Sequence, residues 1–181
     1  NIPVGGALAD TMFVMAQKSG DVEAQCLALA AKTKHYRYGH NDAALLNAFA
    51  QCRDFAISHK RYKYVFKAWT HVIKYYLSQN RFKEAMQQLQ QYQNVMRKLN
   101  DPYGISMYFY EVGNFFTLQQ QNATALSYYL KAMNYWTDER CSIYTLIAQS
   151  YYSLKDYRKG ILYARKALGT ATTQVMKFNP M

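Results

Sequence analysis

The sequence contains little of what several classes of protein need. It has three prolines, three cysteines and only eleven Asp and Glu residues in 181 positions. Cys26, Cys52 and Cys141 are too few and too widely spaced for a zinc module. No run of 18 apolar residues occurs, so we predict no transmembrane helix in this segment. The chain begins Asn1-Ile2-Pro3, and we expect it to be a segment of a longer protein that can itself be membrane-anchored.

The motifs of common enzyme classes are also missing. The sequence contains no GxxxxGK[ST], GxGxxG, HExxH, CxxC or GxSxG pattern. The histidines share no metal-ligand spacing with one another or with the cysteines; they are His35, His40, His59 and His71. No pair of carboxylates is placed for acid–base catalysis. We therefore predict that this segment is not an enzyme and has no catalytic residue, metal or cofactor, although its parent protein can carry a kinase.

The residues that are present favour a folded, basic chain. Half of them are apolar and 16% are aromatic, with 18 tyrosines, which excludes the disordered class. The net charge of +11 raises nucleic acid or an acidic surface as a partner. Lysine and arginine are scattered over most of the chain, however, with denser stretches at 60–67 and 155–166. This scatter favours a solvated helical surface, and a nucleic-acid-associated helical repeat is the alternative.

A 35-residue period is visible in the second half of the chain. Gly113 and Ala148 are 35 positions apart, and each stands between large apolar side chains. Twelve residues further on, both segments have another small residue, Ala125 and Gly160. A weaker copy of the pattern surrounds Ile73. Small residues let two antiparallel helices approach closely while large neighbours fill the remaining space, so the period predicts stacked helical hairpins.

Turn-forming residues divide the chain into nine predicted helices. Breaks such as Ser19-Gly20-Asp21, Gln79-Asn80 and Asn100-Asp101-Pro102 separate them. The predicted helices span 6–18, 22–38, 41–58, 62–78, 82–98, 104–119, 123–136, 141–154 and 157–171. The first has the weakest pattern, because Pro3, Gly5 and Gly6 lie close to its start.

With these small and large residues at this period, the chain resembles the tetratricopeptide repeat (TPR) family. The resemblance is carried by residues 66–174. It implies an all-α fold of antiparallel helical hairpins stacked in a right-handed α-solenoid superhelix. We expect one repeat domain over 1–181. It would comprise a leading half-repeat at 6–18 and repeats at 22–60, 66–99, 106–139 and 141–174.

A second resemblance concerns the stretch from Trp69 to Gly104. The Trp-containing helix, Tyr75-Tyr76, the turn at Gln79-Asn80-Arg81 and the glutamine-rich helix that follows are similar to the repeat-bearing sensor regions of bacterial hybrid two-component histidine kinases. This similarity implies an input domain in signal transduction that lies in the periplasm, with the cytoplasm as the alternative. The TPR region of a peptide-controlled transcription regulator is another alternative.

The TPR resemblance also implies where a partner binds. In that family the first helix of each repeat lines a concave groove, and the partner is a peptide, a protein or a second copy of the chain. The groove positions mix amide, hydroxyl and aromatic groups with two lysines, which suits an extended peptide that carries an acidic group. The predicted groove residues are Lys67, Thr70, Lys74, Tyr110, Asn114, Thr117, Thr145, Gln149 and Tyr152.

Two of the cysteines are placed symmetrically about the first predicted turn. Cys26 and Cys52 each lie 13 residues from Gly39, so they can face each other across a hairpin. Helix axes lie about 8–10 Å apart, whereas a disulfide needs Cα atoms within about 7 Å. The spacing therefore favours two buried thiols, and a disulfide, which would indicate an oxidising compartment, is the alternative.

Overall fold

The computed structural model describes residues 2–39, 41–136 and 140–178, with side chains described for 5–39, 41–136 and 140–170. Within these ranges the chain is all-helical and has no β-strand. The helices are α1 (Ile2–Lys18), α2 (Val22–Tyr36), α3 (Asp42–Ser58), α4 (Tyr62–Ser78), α5 (Phe82–Leu99), α6 (Pro102–Leu118), α7 (Asn122–Asn134), α8 (Cys141–Ser153) and α9 (Tyr157–Phe178). The prediction of an all-α fold is confirmed.

Most helix ends agree with the sequence. The ends of α2 to α8 lie within two residues of their predicted positions. Helix α1 begins four residues earlier than predicted, because proline is tolerated in a first helical turn and because Gly5 packs against the ring of His35, where a Cβ would collide. Helix α9 extends seven residues further than predicted. His40 and the predicted break at Thr137-Asp138 lie outside the described residues.

The same turn follows five of the helices. The second residue after each of α1, α3, α4, α6 and α8 has a positive φ, and the next N–H donates to the carbonyl five residues before it. After α3, for example, Lys60 has φ 57° and the N–H of Arg61 lies 2.7 Å from the carbonyl oxygen of Ala56. This arrangement satisfies carbonyls that a helix end leaves unpaired. The five residues with positive φ are Gly20, Lys60, Asn80, Gln120 and Lys155.

The chain divides into two compact units, residues 1–104 and residues 105–181. We describe each unit separately. The single repeat domain over 1–181, and its repeat boundaries, stay predictions.

In unit 1, helix α4 forms the centre of the core. Eleven of its seventeen residues are buried, among them Phe66, Trp69 and Tyr75, and it packs against α2, α3 and α5. Aromatic rings fill the space towards α5, where Tyr92 lies 5.0 Å from Phe66 and 5.2 Å from Trp69 between ring centroids. The burial of these large rings is the main source of stability in this unit.

Two contacts show that α3 and α4 are antiparallel. At one end, the thiol of Cys52 lies 3.7 Å from the carbonyl oxygen of Tyr64. At the other end, the hydroxyl of Tyr75 donates to the Asp42 carboxylate over 2.6 Å. Asp42 also pairs with Arg81 at 2.8 Å, so the start of α3 is tied both to α4 and to the turn before α5.

The cysteines of unit 1 are free thiols. Cys26 and Cys52 are both fully buried. Burial raises the pKa of Cys26 to about 11 and that of Cys52 to about 12. Both thiols are therefore protonated at neutral pH and behave as small apolar core groups.

In unit 2, the small residues found in the sequence lie at helix contacts. A Cβ at Gly113 would be 2.5 Å from Cε1 of Tyr129, and a Cβ at Gly160 would be 3.4 Å from the carbonyl oxygen of Ala148. The prediction that these positions allow close helix packing is confirmed. Around them a core forms from Ala125, Leu126, Tyr129, Ala132, Ile143 and Ile147.

No helix in the described ranges combines the length and apolar content that are needed to cross a membrane.

Candidate functional site

Unit 2 contains an open cleft of about 800 Å³, which we call the α8–α9 cleft. Its lining residues come from α8, from the turn after it and from α9, with a single residue from α6. Its lining residues are Thr117, Ala148, Gln149, Tyr152, Ser153, Tyr157, Gly160, Ile161 and Ala164.

The spacing of small and large residues on α9 creates the cleft. Gly160 and Ala164 are one helical turn apart and add almost no side-chain volume, while Tyr157 and Ile161 flank them with the same spacing. The ring of Tyr157 meets that of Tyr152 edge-on at 5.4 Å, and the pair forms an aromatic rim. Within the lining Gly160 is buried, whereas Tyr152, Tyr157 and Ile161 are exposed.

The apolar groups of the rim are unusually accessible. Tyr152 is 69% exposed, Ile161 56% and Tyr157 53%. Burying one such side chain contributes about 1.5–3 kcal/mol, so a partner that covers all three gains several kcal/mol before its ordering costs. Contiguous apolar surface of this kind is typical of interaction sites.

The α6 end of the cleft is polar. The Thr117 hydroxyl lies 3.0 Å from the carbonyl oxygen of Gly113 and 2.9 Å from the hydroxyl of Tyr129. Tyr129 in turn donates to Asn114 Oδ1 over 2.8 Å, and Asn114 Nδ2 donates to the buried carboxylate of Glu111 over 3.0 Å. Burial raises the pKa of Tyr129, so its phenol stays neutral and can donate.

A smaller cavity of about 40 Å³ shares lining residues with both the cleft and this hydrogen-bond chain. Thr117, Gln149 and Ser153 line both this cavity and the cleft, and Tyr129 also lines the cavity. A polar ligand group that reaches Thr117 therefore meets an ordered hydrogen-bond chain that ends at Glu111. The site offers apolar contact at one end and fixed hydrogen bonding at the other.

The sequence-predicted residues of unit 2 divide into three that line the cleft and three that do not. Thr117, Gln149 and Tyr152 line it, and Asn114 belongs to the hydrogen-bond chain behind it. The remaining two lie elsewhere. Tyr110 packs at 5.5 Å against the ring of Trp136. The exposed Thr145 places its hydroxyl 2.9 Å from the carbonyl oxygen of Cys141.

The other predicted residues belong to unit 1. Lys67 and Lys74 are half-buried on α4, and the Lys67 ammonium lies 5.9 Å from the ring centre of Tyr64. Thr70 is only 3% exposed, and its hydroxyl donates to the carbonyl oxygen of Lys67 over 2.9 Å. Thr70 therefore supports the helix rather than presenting its hydroxyl to solvent.

The α9 wall of the cleft is absent from the sequence-based set. That set counts positions on the first helix of each repeat, whereas Tyr157, Gly160, Ile161 and Ala164 lie on the second helix of the last one. The sequence does contain a signal for this part of the cleft, because these four residues alternate large and small side chains with helical spacing.

Among the residues that the structure describes, no group of three or more His, Cys, Asp or Glu side chains can hold a metal ion. No protein-family model matches the chain, and none of the curated proteins matches it.

Proposed function

We propose that this chain is a protein-interaction module whose α8–α9 cleft binds an apolar stretch of a partner polypeptide. The observation that carries the proposal is the cleft itself, with three exposed apolar side chains at its rim and a fixed hydrogen-bonding group at one end. Its volume lies in the range of about 300–1,000 Å³ that is typical of ligand sites. That range accommodates two or three side chains of a bound segment.

The chemistry of the lining suits a peptide. A peptide presents one N–H and one carbonyl per residue, and each needs a partner when the peptide leaves water. Gln149 can both donate and accept, whereas the hydroxyl of Thr117, whose one proton goes to Gly113 or Tyr129, can accept at the polar end. The apolar rim then selects for a segment with large aliphatic or aromatic side chains.

The arrangement that we propose for the module is a TPR-type right-handed solenoid. Three observations support it: hairpins of consecutive antiparallel helices, glycine packed against an aromatic ring at Gly113, and a turn that recurs after five helices. Small-angle X-ray scattering of the whole chain tests this arrangement, since a solenoid of nine helices is elongated whereas a compact bundle is not.

The biological setting that we propose is the input domain of a bacterial two-component histidine kinase, in the periplasm. The similarity of the stretch from Trp69 to Gly104 to such sensor regions supports this setting. The test is the complete reading frame, which should encode a transmembrane helix and a kinase core after this segment. A DNA-binding domain in the same frame would instead favour the peptide-controlled transcription regulator.

Binding can be tested without knowledge of the natural partner. Twelve-residue peptides displayed on phage are selected on the wild-type chain after depletion on Ile161→Asp, and the enriched peptides are synthesised for calorimetry. We expect enrichment of apolar or aromatic peptides whose affinity falls at least tenfold on Ile161→Asp, because the charge opposes burial of the peptide in the cleft.

The matched control is Leu162→Asp, which changes the neighbouring residue of similar exposure that does not line the cleft. It should leave the affinity within twofold of wild type. Peptides that bind both variants as well as wild type would refute the cleft as the binding site. Competition by heparin or oligonucleotide would favour the nucleic-acid alternative.

A further inference from the structure

Unit 1 presents three basic side chains on one face of α4. Lys67, His71 and Lys74 are spaced by four and then three residues, which places them on the same side of a helix. All three are half-buried, whereas most of their neighbours on α4 are fully buried. Between Val65 and Leu77, this strip is the part of α4 that reaches the surface.

Helix α2 lies beside this strip and adds two more cations. The hydroxyl of Tyr64 donates to Glu23 over 2.7 Å, which aligns the first turn of α2 with that of α4. Lys34 is eleven residues beyond Glu23 and Lys74 is ten beyond Tyr64, so each lies about 15–16 Å further along its helix. Lys34 and Lys74 are therefore level, and Arg37 follows directly after α2. We call Lys34, Arg37, Lys67, His71 and Lys74 the α2–α4 basic cluster.

Three other cations of unit 1 are paired with carboxylates of the chain. Lys32 pairs with Asp10 at 2.7 Å, Arg61 with Glu23 at 3.2 Å and Arg81 with Asp42 at 2.8 Å. In contrast, no carboxylate in the described ranges forms an ion pair with Lys34, Arg37 or Lys67. Lys34, Arg37 and Lys67 are thus not neutralised by a carboxylate of the described ranges, whereas Lys32, Arg61 and Arg81 are.

The imidazole of His71 supplies a hydrogen-bonding group inside the cluster. Its Nδ1 is buried and, among the residues that the structure describes, has no hydrogen-bond partner. Burial lowers the pKa of His71 to about 3, with further lowering by Arg37, Lys74, Lys34 and Lys67. The ring is therefore neutral at pH 7 and carries one N–H.

We infer that the α2–α4 basic cluster binds an oxyanion, a carboxylate or phosphate group, that a partner polypeptide carries. Lysine and arginine side chains supply the attraction, and the ring of His71 lies among them. The choice of a polypeptide as carrier rests on the proposed function, whereas the anion site itself stands on the geometry of unit 1.

The distribution of charge favours a single acidic group over nucleic acid. A nucleic-acid surface needs a continuous basic stripe that follows successive phosphates. Here the ion pairs at Lys32, Arg61 and Arg81 interrupt the positive surface of unit 1. A local group of cations such as the α2–α4 basic cluster suits one acidic side chain of a partner.

The test uses the whole chain at low salt and five probes: a blocked tetra-glutamate peptide, its tetra-glutamine counterpart, a blocked phosphoserine peptide, inorganic phosphate and a twelve-residue oligo-dT. Binding is followed by calorimetry and by the NMR resonances of the His71 ring. We expect at least one acidic peptide to bind tenfold or more tightly than the glutamine peptide and to shift the His71 resonances. Tighter binding of phosphate or of oligo-dT than of both acidic peptides would overturn the assignment to a polypeptide.

A pair of double variants separates a site from general charge attraction. Lys34→Gln with Lys67→Gln should weaken binding of the acidic peptide at least tenfold. Lys83→Gln with Lys98→Gln removes the same charge from exposed positions of α5 and should change it less than twofold. Equal losses in both variants, or unmoved His71 resonances, would overturn the site. Ile161→Asp should leave this binding unchanged, so failure of the cleft proposal and failure of this one are distinguishable.

Discussion

The α-carbon of Gly113 lies so close to the ring of Tyr129 that a Cβ there would be 2.5 Å from Cε1. The ring cannot easily turn away, because its hydroxyl donates to Asn114 over 2.8 Å and the residue is 1% exposed. The glycine therefore determines both how closely α6 and α7 approach and where the hydrogen-bond chain behind the cleft begins.

This packing predicts that Gly113→Ala is destabilising. The added methyl group forces the Tyr129 ring or the two helices to move, and overpacking of this kind costs about 1–3 kcal/mol. Urea denaturation followed by circular dichroism measures the change in the free energy of unfolding. The control is Gly169→Ala, where an added Cβ meets nothing within 4 Å and helix propensity gains up to about 1 kcal/mol. Equal changes in the free energy of unfolding for Gly113→Ala and Gly169→Ala would contradict the close packing of Gly113 against Tyr129.

The buried imidazole of His71 predicts a loss of stability in mild acid. Its pKa is about 3 in the folded chain, and in the unfolded chain it returns to about 6.5. Below pH 6.5 the unfolded state binds a proton that the folded state does not, so the free energy of unfolding falls as the pH falls. The His71 contribution reaches up to about 2 kcal/mol by pH 5.

The measurement compares wild type with His71→Gln by urea denaturation at pH 7 and pH 5. The variant removes the titrating group and keeps an amide at the position, so its stability should fall less over this interval. Parallel losses in the two proteins would show that His71 is accessible enough to titrate normally.

The three cysteines should differ in their reaction with a thiol reagent. Cys26 and Cys52 are fully buried with pKa values of about 11 and 12, whereas Cys141 is half-buried. We expect the native protein to react at Cys141 first, and the denatured protein to release three thiols without a reductant. Detection of one thiol in denaturant would show a disulfide between Cys26 and Cys52 and would support an oxidising compartment.

The sequence was sufficient for the helices because their ends coincide with local signals. Asn80 and Gly20 adopt positive φ readily, so their turns could be predicted. Lys60, Gln120 and Lys155 adopt the same conformation without any intrinsic preference for it. The sequence still predicts the breaks at these three turns, because the predicted helix ends beside them lie within two residues of the observed ones, but it does not predict the positive φ.

The candidate site was only half predictable. The repeat register assigns binding positions on the first helix of each repeat. It therefore predicts Thr117, Gln149 and Tyr152, which line the cleft. The register assigns no binding positions to second helices, so it does not predict Ile161 on α9. In unit 1 the register gave Lys67 and Lys74, but Lys34 and Arg37 join them only through the packing of α2 beside α4.

The burial of α4 also determines how the surface strip on it behaves. A helix that contributes core side chains towards three neighbouring helices cannot detach alone, so its amides should exchange with solvent only when unit 1 opens cooperatively. Lys67, His71 and Lys74 therefore lie on a helix that the core of that unit holds in place. Binding of a ligand there should therefore cost little conformational entropy, because the helix is already ordered in the folded chain.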